Sequence, residues 1–221
     1  MGYAALFSGG KDSALALWKA QSLGLKIDFL ITVYPEKDYS YMFHKPNLHL
    51  MPQIAKSLDI ELIKIETSGK KEKEMEELKE KMKGFEIDGI ITGAVASNYQ
   101  MARIENLASE HSLDVFAPLW NKSSSELIRE IIEEKFKTII VSVSARGLDE
   151  TWLGRELDEN CFSALKRLKE KYGINISGEG GEYETLVLDA PNFSTSFHVT
   201  EQEPDWDGKR GELKVKIKKK R

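Results

Sequence analysis

Short apolar runs alternate with longer amphipathic segments through the first half of the chain. Continuous apolar or β-branched runs, typical of strands buried on both faces, predict strands over residues 3–7, 27–33, 60–65, 88–93 and 113–119. Helical periodicity predicts helices over residues 13 to about 24, 51–58 and 70–83, and "SNYQ" has the spacing of a capping box that opens a helix at Ser97. This strand–helix order predicts a Rossmann-like α/β domain with a parallel sheet and right-handed crossovers.

The second half is less regular and predicts a smaller α+β domain. Helices are expected to begin at Ser123 and to cover residues 157–172, with strands over 138–145, from Tyr183 onward and on both sides of the turn at 205–211. In the tail "LKVKIKKKR", apolar residues alternate with lysines, which predicts an edge strand guarded by lysine. We place the domain boundary near Pro118, with a nucleotide-binding domain over residues 1–118 and a substrate domain over 119–221.

Composition narrows the classes of protein. The 221 residues are 41% hydrophobic and 31% charged with a net charge of −4, which gives no general attraction to nucleic acid. No apolar run approaches the ~18 residues of a membrane span, and the N-terminus lacks a signal pattern, so a cytoplasmic location without membrane contact is expected. Cys161 is the single cysteine and shares an apolar helical stripe, which predicts a buried structural thiol.

The segment "FSGGKDS" follows the first predicted strand and opens the first predicted helix. Backbone N–H groups at a helix N-terminus lack intrahelical partners and attract anions, and Gly9 and Gly10 let phosphate oxygens come close. Lys11 adds a positive charge, Ser8 and Ser13 add hydroxyl donors, and Asp12 is a candidate ligand for Mg²⁺ bridging phosphates.

The spacing excludes two familiar phosphate loops. A Walker A loop needs glycine where Ala5 stands and Ser or Thr where Asp12 stands, and G-x-G-x-x-G does not match either. The remaining alternative is a glycine-containing turn with a surface lysine. In a doubly wound sheet the loops after strands one and four flank the ligand crevice, so Gly93 and Ala94 in "TGAVASNYQ" are expected to allow close approach of AMP.

The hexapeptide "SGGKDS" resembles the PP-loop of the N-type ATP pyrophosphatases, which split ATP between the α and β phosphates. Four further stretches, in chain order, resemble the diphthine–ammonia ligase family: "DYSYMFHKPNLHL", "GAVASNYQMARIE", "WLGR" and "GEGGEYETLVLDAP". They run from Ser8 to Pro191, and the chain resembles the short form of the family without appended C-terminal domains.

The resemblance implies adenylation of the carboxylate of diphthine on elongation factor 2 and its amidation by ammonium, with AMP and pyrophosphate released. ATP and Mg²⁺ are the implied cofactors. It further implies catalytic roles for Lys11, Asp12 and three acids of the glycine-rich motif, Glu179, Glu182 and Glu184, and a role for Tyr34 beside adenine.

Diphthine carries a quaternary ammonium, which suits aromatic faces and nearby acids. The family motifs therefore supply a set of substrate-binding candidates: Tyr39, Tyr41, His49, Ser97, Tyr99, Gln100, Trp152, Gly180, Gly181 and Tyr183. The competing interpretations are a turn with solvated acids for the glycine-rich motif and a hydrogen-bonded loop histidine for His49.

Other functions remain open at this point. Glutaminase-fed relatives need a nucleophile that a cysteine on an apolar stripe does not provide, and sulfur-transferring relatives commonly use persulfides or CxxC clusters, patterns that this chain lacks. Another AMP-forming PP-loop enzyme, a tRNA-modifying enzyme, or a non-catalytic ATP or AMP sensor stays an alternative. The sequence leaves open whether the chain forms a homo-oligomer.

Overall fold

A computed structural model describes residues 1–36, 46–68 and 73–220, and the chain divides into two compact units. The first unit comprises Met1–Ser8 and Asp12–Trp120, and the second comprises Gly9–Lys11 and Asn121–Arg221. Elements are numbered in chain order. The strands of the first unit are β1 Gly2–Leu6, β2 Ile27–Pro35, β3 Glu61–Thr67, β4 Ile87–Ile91 and β5 Asp114–Phe116. The helices are α1 Lys11–Ser22, α2 Met51–Leu58, α3 Glu74–Met82 and α4 Asn98–Glu110.

The five strands of the first unit form a parallel sheet in the order β3-β2-β1-β4-β5. One face packs its alternate residues, such as Ala4 and Ile31, against the apolar sides of α3 and α4. Right-handed crossovers place α1 and α2 on the other face. The predicted Rossmann-like fold is therefore confirmed. The chain moves outward from β1 to β3 and returns beside β1 as β4, so the switch point of the sheet lies between β1 and β4.

The second unit is a four-stranded antiparallel sheet with two long helices, as the predicted α+β class requires. Its elements are α5 Ser124–Glu133, β6 Lys137–Val143, α6 Glu159–Tyr172, β7 Tyr183–Asp189, β8 Phe197–Trp206 and β9 Gly211–Lys219. The strand order is β7-β6-β9-β8. Helix α5 begins with a full capping box, in which Ser123 and Glu126 each accept the other's backbone N–H.

Two sequence predictions need correction. The prediction for the lysine-rich tail is only partly correct: β8 is the outermost strand, and β9 pairs with β8 along its length but with β6 through Gly211 and Glu212 alone, so residues 213–219 pair with a strand on one side. Its alternation still has the expected physical basis, since Leu213 and Val215 are buried while the lysines between them are exposed. The capping box at Ser97 is half made: Ser97 Oγ accepts the N–H of Gln100 at 3.3 Å, and no return bond from the Gln100 side chain is present.

Among the residues that the structure describes, no helix reaches the length and hydropathy that a membrane-spanning helix needs. Cys161 is fully buried, and burial raises the pKa of its thiol to about 11. The structural role predicted for this thiol is consistent with both observations.

Candidate active site

The glycine loop runs from the end of β1 into α1, which begins at Lys11 rather than at the predicted Ser13. At the base of the loop the Ser8 backbone N–H donates to Ser13 Oγ at 3.3 Å, and the two serine hydroxyls are also 3.3 Å apart. Gly9 has φ of +75°, in the left-handed region that favours glycine. The sequence order apolar strand, glycine, helix thus produces a tight turn whose two serines hold it closed.

Gly93 follows β4 and lies against the first turn of α1. A Cβ built on Gly93 would stand 2.6 Å from the Asp12 carbonyl carbon and 2.7 Å from the Ser13 nitrogen. Gly93 is therefore in close contact with backbone of the same unit, and glycine is needed there for packing, while the approach of AMP to Gly93 stays a prediction. Its neighbour Ala94 is 5% exposed and donates its N–H to Thr92 Oγ1.

In the second unit, Gly9–Lys11 is bonded to strand β7. The Val187 N–H donates to the Gly9 carbonyl oxygen at 2.9 Å, and the Lys11 N–H donates to Thr185 Oγ1 at 3.1 Å. The Lys11 side chain is 3% exposed, with Nζ 5.8 Å from the centroid of the Tyr183 ring. Strand β7, part of the glycine-rich acidic motif, is thus hydrogen-bonded to the backbone of the glycine loop at Gly9 and Lys11.

These bonds correct one expectation and add one residue. The N–H of Lys11, the first residue of α1, has a protein acceptor, so this group is not one of the unpaired helix N-terminal donors that the sequence predicted. Thr185 is the residue that sequence reasoning missed. It lies inside "GEGGEYETLVLDAP", and the signal that could have found it is a hydroxyl residue within a motif that was considered only for its acids.

Glu182 closes the glycine-rich loop before β7. Its carboxylate accepts the N–H of Asn175 at 2.9 Å and that of Gly180 at 2.8 Å. A carboxylate that accepts two backbone N–H groups orders the loop around itself, which gives Glu182 a structural role in addition to any chemical one. Glu179 and Glu184, the other two predicted acids, are half-buried in the same unit, while Gly180 and Gly181 are exposed.

The predicted aromatic candidates have different environments. Tyr183 is 3% exposed and donates its hydroxyl to the Ile176 carbonyl at 2.6 Å, and Trp152 is 6% exposed. Tyr99, in the first unit, is 37% exposed, and the guanidinium carbon of Arg103 lies 3.7 Å from its ring centroid. Within the second unit Trp152 and Tyr183 are buried, and each ring already has a cation of the chain near it: the Arg155 guanidinium carbon 4.5 Å from the Trp152 centroid and Lys11 Nζ near Tyr183. Tyr39 and Tyr41 lie outside the described residues.

The remaining candidates lie in the first unit. The Tyr34 hydroxyl, at the end of β2, donates to the Leu48 carbonyl at 3.0 Å, and burial raises its pKa. His49 is exposed in a 3₁₀ turn over Leu48–Leu50. Ser97 and Gln100 make the N-terminal cap of α4 described above. Tyr34 lies at the carboxyl end of β2, and Ser97 and Gln100 come after the carboxyl end of β4, the edge at which open α/β sheets bind ligands.

Asp12 is the candidate metal ligand, and it lies half-buried in the first turn of α1. In residues 1–36, 46–68 and 73–220 no three His, Cys, Asp or Glu side chains form a group that could hold a metal ion. A single carboxylate fits Mg²⁺, because this ion is commonly held by one or two carboxylates together with substrate phosphates and water.

Comparison with known proteins gives consistent matches over both units. Residues 1–115 match the family model for the diphthamide synthase N-terminal domain, and residues 123–221 match that for the diphthamide synthase C-terminal domain. The chain is 34% identical to the diphthine–ammonia ligase of Mus musculus and 33% identical to that of Bos taurus. Each alignment covers 92% of this chain and 84% of the relative. A solved structure described as a predicted subunit of tRNA methyltransferase from Methanocaldococcus jannaschii aligns at a TM-score of 0.46 and 18% identity, covering 86% of this chain and 98% of that one.

Proposed function

This chain belongs to the diphthamide synthase family, and from that premise we propose that it is an ATP-dependent ligase that amidates diphthine on elongation factor 2 with ammonium. The observation that carries the proposal is the glycine loop itself. "SGGKDS" leaves a parallel strand at the switch point of the sheet and opens a helix with a buried lysine in its first turn. This is the arrangement in which α/β proteins bind phosphate groups.

The proposed reaction has two steps, because a carboxylate is a poor electrophile. In the first, an oxygen of the diphthine carboxylate attacks the α-phosphorus of ATP, and the bond from that phosphorus to the bridging oxygen breaks with its electrons leaving on pyrophosphate. In the second, the lone pair of ammonia attacks the acyl carbon of the mixed anhydride. The bond from carbon to the bridging oxygen breaks, AMP leaves, and the surplus proton passes to solvent or to a carboxylate.

The loop residues would bind the phosphates in this reaction. Gly9 and Gly10 let phosphate oxygens approach the backbone, and the buried Lys11 ammonium would offset charge that develops on them. Asp12 would hold Mg²⁺ together with phosphate oxygens, and the ion would supply further charge neutralisation. The bonds from Thr185 and Val187 would keep the loop in its binding conformation before ATP arrives. Tyr34 remains our candidate beside the adenine.

The acidic loop would serve the nitrogen donor and the acceptor. Glu182 would position the loop through its two backbone bonds, leaving the half-buried Glu179 and Glu184 to attract ammonium and to accept its proton. Tyr99, which is the most exposed of the described aromatic candidates, is the one we assign to the diphthine substrate. The methylated amine of diphthine would be attracted to such a ring face.

The test combines the purified protein with ATP, Mg²⁺, ammonium and elongation factor 2 carrying diphthine. The proposal predicts equimolar AMP and pyrophosphate and the small mass decrease of acid-to-amide conversion in the factor. Omission of ammonium is the control, and it should stop amide formation. ATP that is bound but never cleaved, with the factor unchanged, would contradict the proposal and favour a nucleotide sensor.

A further inference from the structure

The guanidinium of Arg103 contains a buried donor without an acceptor. Its Nη1 atom is shielded from solvent and has no hydrogen-bond partner in the part of the chain that the structure describes. A guanidinium offers five N–H donors and cannot lose its charge in a protein, so it cannot relieve the missing bond by deprotonation. A native buried donor of this kind calls for an explanation, and an absent ligand is one of the few available.

Arg103 lies at the functional edge of the first sheet. It is in the second turn of α4, and long helical side chains point back toward the N-terminus of their helix. The contact with Tyr99 shows this direction, because Tyr99 lies one turn earlier and the guanidinium carbon is 3.7 Å from its ring centroid. Helix α4 follows β4, which is the neighbour of β1 at the switch point. The packing of Gly93 on Asp12 and Ser13 joins the two strand ends.

The stacked geometry suits recognition of an oxyanion. The guanidinium carbon lies 3.7 Å from the Tyr99 ring centroid, a cation–π contact that restrains the position of the group. An arginine on an exposed helix surface would keep its guanidinium nitrogens hydrated, whereas Nη1 of Arg103 is shielded from solvent. A planar fork of donors matches the paired oxygens of a carboxylate or phosphate.

We propose that Arg103, restrained by Tyr99, is a substrate-binding residue that donates from Nη1 to an oxyanion of the reactants at the β1–β4 switch point. This inference rests on the proposed function, since that function supplies the anions. Two sources share the chemistry: a phosphate of ATP and the carboxylate of the protein substrate. Either one would be oriented for the first step by this donor, whose position the Tyr99 ring restrains.

The experiment measures binding, so it does not depend on turnover. The variants are Arg103→Gln, Arg103→Lys and, as a control, Arg167→Gln at an exposed arginine of α6. Each variant is titrated with a non-hydrolysable ATP analogue plus Mg²⁺ and, separately, with diphthine-bearing elongation factor 2. Loss of a hydrogen bond to a charged group predicts an affinity about tenfold to a hundredfold lower for one of the two ligands in Arg103→Gln. Recovery should be incomplete in Arg103→Lys, because lysine has neither the plane nor the fork.

The ligand that binds Arg103→Gln more weakly carries the oxyanion that Arg103 binds. Free guanidinium added to Arg103→Gln should restore part of the affinity for that ligand and leave the affinity for the other ligand unchanged. Arg167→Gln should change both affinities by less than about twofold, as expected for an exposed charge. If both ligands bind Arg103→Gln as they bind the unmodified protein, the proposal is overturned. Should that variant fail to fold, Arg103→Lys provides the second test, since lysine keeps the charge without the fork and must still weaken the same ligand; unchanged affinity for both ligands in Arg103→Lys would then overturn the proposal. An absence of amidation by the unmodified protein would refute the proposed function while leaving these binding results decisive for Arg103.

Discussion

The contact between Gly93 and α1 predicts a large effect from adding a single methyl group. In Gly93→Ala the new Cβ would lie 2.6 to 2.8 Å from three backbone atoms of Asp12 and Ser13. None of these atoms belongs to a flexible side chain, so the first turn of α1 or the end of β4 must move by about 0.8 Å to reach an ordinary contact of 3.4 Å. Gly93 does not have a left-handed φ, so the effect is steric and not conformational.

We expect two consequences of this movement. Overpacking of this size lowers the free energy of unfolding by about 1–3 kcal/mol. The movement also displaces Asp12 and Ser13, and misplacement of binding groups by about 1 Å can cost on the order of 100-fold in activity. The assays are thermal unfolding and isothermal titration with ATP and Mg²⁺.

Gly89→Ala is the matched control. Gly89 lies in β4, about 13 Å before Gly93 along an extended chain, and its added Cβ would stand 2.5 Å from the Tyr3 ring and 2.7 Å from the Asp114 carbonyl oxygen. This variant should lose stability as Gly93→Ala does, yet bind ATP with nearly normal affinity at a temperature at which both are folded. An ATP affinity in Gly93→Ala equal to that of Gly89→Ala would refute the reasoning, because the loop would then not depend on this contact.

Three further predictions concern the second unit. Thr185→Val should leave the Lys11 N–H without its acceptor, which should lower the free energy of unfolding by about 1–3 kcal/mol and weaken ATP binding. Thr185→Ser keeps a hydroxyl acceptor and should restore both. Equal ATP affinity of the two variants in titration would argue against the bond. Glu182→Ala should lower the free energy of unfolding by about 2 kcal/mol, because two hydrogen bonds to backbone N–H groups are lost, and Glu182→Gln should lower it by about half as much. An unchanged midpoint of chemical unfolding in both variants would contradict the structural role of Glu182. Burial raises the pKa of the Cys161 thiol from 9.0 to about 11, so the folded protein should react slowly with a disulfide reagent at pH 8 and rapidly after denaturation. Since the unfolded thiol ionises first, the contribution of Cys161 to stability should be fully present below pH 9.0 and should fall as the pH rises toward about 11. Fast modification of the native protein at pH 8 would exclude a buried environment for this thiol.

The fold was accessible from sequence because its signals are local. Continuous apolar strands such as residues 27–33 and the amphipathic helix Met51–Leu58 depend on periodicity within one element, and strand–helix alternation restricts the topology to a few solutions. The position of β9 in the strand order was predicted only in part, for a related reason. Alternation of Leu213 and Lys214 reports that one face is buried, but it does not report which strands are hydrogen-bonded on either side.

The candidate site was less accessible, because its key contacts join residues far apart in the chain. Thr185 and Lys11 are separated by 174 positions, and no local pattern indicates that one accepts the other's N–H. Gly93 is predicted as a position of close approach to AMP, which stays a prediction, and the structure adds a contact with the chain's own backbone that no local pattern indicates. Glu182 was selected for its charge, whereas its observed partners are two backbone N–H groups. Residue type thus indicated which positions matter, and tertiary contacts decided what they do.

The central claim is that the acceptor carboxylate attacks the α-phosphorus of ATP. It can be tested by labelling the diphthine carboxylate of elongation factor 2 with oxygen-18 and analysing the nucleotide products by mass spectrometry after reaction with ATP and ammonium. The account predicts one labelled oxygen in AMP and none in pyrophosphate, because the bridging oxygen leaves with AMP when ammonia attacks. Label in inorganic phosphate accompanied by ADP, or amidation with unlabelled AMP, would contradict it.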